Sequence, residues 1–136
     1  MLSLSLIAVP VFLDTTTQGA QLLQQWERMY HYGHQALPTM AVGTFVLYAY
    51  VAFKKRRGIF ALAGAITVIM VPYTWFIMMP TNIELFRLEE LARLEPSATG
   101  IAEARKLVVS WSWMHLTRAL APLAGAVVGA LATFGS

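Results

Sequence analysis

The chain has 136 residues, 57% hydrophobic and 12% charged, with a formal net charge of +3 and a mean hydropathy of +0.58. A water-soluble domain carries about 25% charged residues, so half that proportion leaves too little polar surface to cover a solvated globule. The absence of cysteine excludes disulfides, thiolate nucleophiles, Cys-ligated zinc and iron–sulfur clusters.

The length allows one domain, read as a single integral-membrane unit over 1–136. Met1–Leu13 is uncharged but short. As a helix it reaches about 20 Å, against a hydrocarbon core of about 30 Å. It is expected to start short or to be truncated upstream; the alternative is a cleaved signal peptide, although it has neither a basic start nor a small-x-small cleavage site. Gln21–Gln35 contains good helix formers and no proline, with Leu22, Trp26, Met29 and Gly33 along one stripe. Leu37–Phe53 is uncharged over a marginal spanning length, and Ile59–Met79 is uncharged and long enough. Thr81-Asn82-Ile83-Glu84 resembles a capping box. It predicts a helix near 82–94, ended by Pro96 and Gly100. Leu107–Phe134 is the longest apolar stretch and carries His115 and Arg118.

The expected fold is all-α: a four-helix transmembrane bundle with helices near 1–13, 37–53, 59–79 and 107–134. Further amphipathic or outer helices near 21–35 and 82–94 are expected on the non-cytoplasmic side. Four of the ten cations form the run Lys54-Lys55-Arg56-Arg57. Between apolar stretches, such a run reads as membrane topology rather than nucleic-acid binding. It places its own connection and both termini on the cytoplasmic side.

The polar residues converge in the last stretch. Trp111, His115, Arg118, Pro122, Gly125 and Gly129 follow alternating steps of four and three, which is one face of an α-helix. The lower half of this face is Gly-x-x-x-Gly, which lets helix backbones approach closely. The upper half is aromatic and then ionisable. Pro122 cannot donate to the carbonyl of Arg118 and crowds it, predicting a kink there. A guanidinium is effectively always protonated, and at mid-helix it costs about 2.5–3.5 kcal/mol on insertion scales. No Asp or Glu lies in the apolar stretches to pair with Arg118. It reads either as an anion site or as a structural arginine snorkelling to the headgroups.

The topology puts Tyr30, His31, Tyr32, His34 and Asn82 on the same outer side as His115. His31 and His34, three apart, share a helix face. The three histidines admit two readings, packing or interfacial residues on one hand and ligands for zinc, copper or non-haem iron on the other. Pro72 frees the carbonyl of Val68, and Trp75, Met78 or Met79, and Asn82 then stack at helical spacing. Trp26, Tyr73, Trp75, Trp111 and Trp113 at one depth read as an interfacial aromatic belt or as walls for a planar aromatic ligand.

Three strings together resemble the anthrone oxygenase family. They are Gln25-Trp26-x-x-x-Tyr30-x-x-Gly33-x-x-x-x-Pro38, Pro72-Tyr73-Thr74-Trp75 through Met79-Pro80-Thr81-Asn82, and Trp111-x-x-x-His115-x-x-Arg118 followed by Pro122-Leu123-Ala124-Gly125. The resemblance covers nearly the whole chain. It implies a small four-helix membrane monooxygenase of aromatic polyketide biosynthesis, converting an anthrone to an anthraquinone with dioxygen and without flavin or nicotinamide. The sequence contains neither a dinucleotide fingerprint nor a phosphate loop. On that reading the base is His115 or a histidine of the His31/His34 pair, and Arg118 stabilises the oxyanion. Asn82, or more weakly Tyr73, bonds a carbonyl or phenol. Trp26, Trp75 and Trp111 sandwich the rings, with Tyr30 and Met79 beside them. The expected partners are a hydrophobic aromatic small molecule and the bilayer, with homo-oligomerisation open. Two alternatives remain at this point: a non-catalytic subunit binding a quinone, haem or partner helix, and a His-ligated metal-dependent oxygenase.

Overall fold

The computed structural model describes residues 2–97 and 99–135, and every element among them is helical. Four helices follow one another: α1 (Leu4–Thr15), α2 (Gly19–Lys55), α3 (Gly58–Leu94) and α4 (Ile101–Phe134). Three of them, α2 to α4, are long and apolar enough to cross a membrane, and α1 is shorter. The chain is thus a membrane protein with three helices of spanning length, where four spans were expected.

The outer helices are not separate elements. Residues 21–35 and 37–53 form one 37-residue helix, with Pro38 inside it. Without water, a lipid-embedded backbone must satisfy its own polar groups, and the hydroxyls that follow Pro38 turn back onto their own helix. Thr39 Oγ1 donates to the Gln35 carbonyl at 2.7 Å and Thr44 Oγ1 to the Met40 carbonyl at 2.8 Å. Likewise Thr81-Asn82-Ile83-Glu84 caps nothing; it lies inside a helical run that continues from Met79 to Leu94. Upstream of it, Pro72 removes a donor, and the chain answers with a π-helical turn over Thr74–Met78. A second π turn opens α1 over Leu4–Ala8.

The α2–α3 turn is tight. Arg56 ends α2 in the left-handed conformation, φ 51°, and Arg57 donates to the Ala132 carbonyl at 3.1 Å. At the opposite end, α1 folds back on α2 and α4. Thr16 Oγ1 donates to Gln25 Oε1 at 2.8 Å, and Arg105 donates to the Leu13 carbonyl.

The core is divided. At the polar end, α1, the first half of α2, the second half of α3 and the start of α4 bury Val9, Leu22, Leu23, Trp26, Met78, Leu85, Leu88, Val108 and Trp111. Toward the Lys54–Arg57 turn the bundle narrows to three helices, held by small residues. A Cβ added at Gly125 would lie 2.1 Å from Thr67 Oγ1 and 2.7 Å from the Ala63 carbonyl oxygen, and one at Gly129 would lie 2.1 Å from the Tyr48 hydroxyl. The Gly-x-x-x-Gly half of α4 therefore faces inward, as its spacing predicts.

The two glycines differ in what blocks them. At Gly125 the obstacle includes α3 backbone, which cannot swing aside, whereas at Gly129 it is the end of one side chain. Gly125→Ala is expected to destabilise the bundle by about 1–3 kcal/mol, the range for overpacking, and Gly129→Ala by less. Thermal unfolding in detergent of the two variants side by side checks the order.

Candidate active site

A cavity of about 350 Å³ opens where the divided core changes character. It is lined from α2 by Met29, Tyr30, Gly33, His34, Leu37 and Pro38, and from α3 by Val71, Thr74, Trp75, Met78, Met79 and Asn82. Trp111, His115 and Arg118 of α4 and Leu4 of α1 complete it. The volume lies at the small end of ligand pockets, roughly 300–1,000 Å³.

The ionisable face of α4 supplies its polar wall. Trp111, His115 and Arg118 are all buried, at 3%, 1% and 8% exposure. Burial of this order forces each polar atom to find a partner or remain costly, and the partners found are directional. The Trp111 indole N–H, which can only donate, bonds Asn82 Oδ1 at 2.9 Å. That fixes the amide, and Asn82 presents Nδ2, a donor with no protein partner. Trp111 also stacks on His115, ring centroids 4.9 Å apart and planes 24° apart. Arg118 Nη1 donates to Thr74 Oγ1 at 2.9 Å. The Thr74 hydroxyl spends its own proton on the Met70 carbonyl at 2.8 Å, so a lone pair is left for the guanidinium. His115 Nδ1 meets Ser5 Oγ at 3.0 Å. His115 Nε2 and Arg118 Nε are buried without a protein partner.

The site residues expected from sequence divide into two groups. Tyr30, His34, Trp75, Met79, Asn82, Trp111, His115 and Arg118 line one cavity. His31, Trp26 and Tyr73 do not. His31 lies exposed and off the cavity wall, its ring 5.9 Å from that of His34. Trp26 is fully buried behind the wall, edge-on to Trp111 at 6.0 Å and in contact with Tyr30 and Phe86. It is a core residue that backs the wall rather than a face of it. Tyr73 packs against the same core.

The histidines are not gathered. His34 sits at the exposed rim, its Nδ1 bonding the His31 carbonyl at 2.8 Å and its ring stacked on Tyr30 at 5.4 Å. Among the described residues no three His, Asp or Glu side chains come together as a metal site requires. The three-histidine ligand set is therefore not assembled by this fold.

Sequence reasoning missed Ser5 and Thr74 as polar partners and Met29 as a wall, and it offered Met78 as an alternative to Met79 where both line the cavity. A hydroxyl inside an apolar stretch was the available signal for the first two.

The Trp111–Asn82 bond yields a stability test. Trp111→Phe keeps a ring but leaves Asn82 Oδ1 buried and unpaired, an expected cost of about 1–3 kcal/mol. Adding Asn82→Leu removes the orphaned group and is expected to return part of that loss. Thermal unfolding of the single and double variants measures it.

The anthrone oxygenase family model matches residues 26–128. Anthrone oxygenase AgnL2 of Paecilomyces divaricatus is 62% identical over 138 residues, covering 96% of this chain and 84% of that protein. Anthrone oxygenase nsrD of Aspergillus novofumigatus is 45% identical, covering 95% and 81%. Noranthrone monooxygenase of Aspergillus flavus is 39% identical, covering 99% of this chain and 67% of its own length. No solved structure matches the chain. With the family model spanning most of the sequence and relatives of this identity covering nearly all of it, the chain belongs to the anthrone oxygenase family.

Proposed function

We propose that this chain is a membrane-embedded monooxygenase that oxidises an anthrone to the anthraquinone with dioxygen, by base-initiated chemistry without a further cofactor, in aromatic polyketide biosynthesis. The observation that carries this reading is the polarity of the cavity. One unpartnered ring nitrogen, on His115, stands with two donor groups, Asn82 Nδ2 and the Arg118 guanidinium, among aromatic and methionine side chains. The names of the relatives from Paecilomyces divaricatus and Aspergillus flavus supply the reaction class.

An anthrone needs this set. Its methylene carbon, flanked by two aryl rings and conjugated to a carbonyl, loses a proton to give an electron-rich anthranolate. His115 takes that proton at a ring nitrogen held beside the substrate, the usual task of a histidine placed as a general base. The negative charge collects on the carbonyl oxygen, where Arg118 and Asn82 donate to it. Fixed donors in a water-poor site need little reorganisation as charge develops. The anthranolate passes one electron to dioxygen, and the radical pair combines into a C–O bond. The peroxide accepts the proton held by His115. Loss of the second C–H proton and cleavage of the O–O bond then release water and leave the quinone carbonyl. One oxygen atom enters the product and the other leaves as water. Trp75, Met79 and Tyr30 wall the rings.

With the Lys54–Arg57 turn on the cytoplasmic side, as its charge suggests, the cavity lies toward the opposite leaflet. A membrane-dissolved substrate reaches it there.

The reaction is tested in chelator-treated membranes supplied with an anthrone and dioxygen, following quinone absorbance. Empty membranes set the baseline of spontaneous oxidation. Turnover is expected above that baseline and indifferent to chelator. His115→Gln is expected to lower it by about 10²–10⁴-fold, the usual contribution of a positioned base. Arg118→Lys, which loses the planar fork, is expected to lower it by about 10²-fold. Rates equal to empty membranes would sink the substrate assignment, and loss on chelation the metal-free chemistry.

A further inference from the structure

Ser5 does not line the cavity, yet its hydroxyl is buried against the side chain that does the chemistry in the reading above. Ser5 Oγ lies 3.0 Å from the Ser112 carbonyl oxygen and 3.0 Å from His115 Nδ1. A serine hydroxyl has a single proton, and a carbonyl oxygen can only accept. The Ser5 proton therefore goes to the Ser112 carbonyl, and Oγ faces Nδ1 with a lone pair. Nδ1 must then be the N–H. A neutral imidazole carries one such proton, so Nε2 keeps its lone pair.

The opposite tautomer fails on the same count. It would put an N–H at Nε2, which is buried with no acceptor. No side chain of the cavity wall accepts from it, and two of the polar groups there, Asn82 Nδ2 and the Arg118 guanidinium, are donors. It would also leave the Ser5 oxygen and the Ser112 carbonyl facing each other at 3.0 Å without a proton between them.

We infer that Ser5 is a positioning residue that holds His115 as the Nδ1–H tautomer and so makes Nε2 the proton acceptor, an inference that rests on His115 being the base. The local structure fits this task. Ser5 belongs to the π turn Leu4–Ala8, and the Ser112 hydroxyl returns a contact to the Ser5 carbonyl at 3.5 Å. The pair fastens α1 to α4 beside the imidazole.

The test is ¹⁵N NMR of histidine-labelled, full-length protein in detergent micelles, with His115 assigned by its loss in His115→Gln. In the wild type, His115 is expected to show a pyrrole-type Nδ1 and a pyridine-type Nε2. Ser5→Ala removes the acceptor, so the signal is expected to move toward the Nε2–H form. The expected fall in kcat is about tenfold or more, bounded by the 10²–10⁴ that a base contributes. KM is expected to stay within about twofold, because Ser5 lies off the cavity wall. Ser5→Thr, which keeps the hydroxyl, is expected to restore both signal and rate.

A wild-type spectrum with the proton on Nε2, alone or together with Nδ1, overturns the inference even if Ser5→Ala does not fold. So does a folded Ser5→Ala protein with unchanged tautomer and kcat. If His115→Gln keeps full turnover, the base assignment falls instead, and the spectrum alone decides whether Ser5 sets the tautomer.

Discussion

A guanidinium buried on a helix face without a carboxylate to answer it is the constraint around which the molecule is built. Arg118 is 8% exposed, and its resolved hydrogen bond goes to the neutral Thr74 hydroxyl. The ion pairs among the described residues lie elsewhere, between Arg87 and Glu84 and between Arg93 and Glu89 or Glu27. A charge in this position costs a few kcal/mol on insertion scales. Pairing it with a carboxylate would relieve that cost but would also cancel the field that it projects into the cavity. Threonine gives geometry without cancelling charge. On the proposed reaction, an oxyanion formed during turnover would supply the missing counter-charge.

Asn82, Arg118 and His115 share a second property: each is held by a chain of hydrogen bonds that ends on a group able only to donate or only to accept. An indole N–H turns the Asn82 amide, a backbone carbonyl turns the Thr74 hydroxyl toward Arg118, and another turns the Ser5 hydroxyl toward His115. Donor and acceptor positions are thus set before any ligand arrives. Such preorganisation is where electrostatic stabilisation gains most over water.

Much of this was legible in the chain because α4 is an uninterrupted helix. Steps of three and four from Trp111 to Gly129 correctly put the aromatic, ionisable and small residues on one inward face. The misreadings have physical causes. Pro38 and Pro80 mark breaks in water, but in α2 and α3 the helix runs through them. Tyr73 packs against the core cluster, while Thr74 and Trp75 just after it face the cavity. Trp26 followed the correct stripe, but that stripe meets the outer core before it reaches the cavity. Ser5 and Thr74 carried only a weak signal, because a single hydroxyl has no periodicity. Their partners, moreover, lie 110 and 44 residues away in the chain.

Both π turns, Leu4–Ala8 and Thr74–Met78, sit where a helix delivers a hydroxyl to α4. A π turn spaces its hydrogen bonds five residues apart instead of four, so it absorbs one residue more than the α-helix around it. Were the same residues of Thr74–Met78 to relax into an ordinary α-helix, α3 would gain better backbone geometry at unchanged composition. Everything beyond it would then rotate by about 100°. Asn82 would leave the cavity while Gly64 and Thr67 kept their seam with the neighbouring helices. In this stretch the number of residues carries as much information as their identity: the extra residue held by the π turn is what lets Gly64 and Thr67 meet the seam while Asn82 meets the cavity.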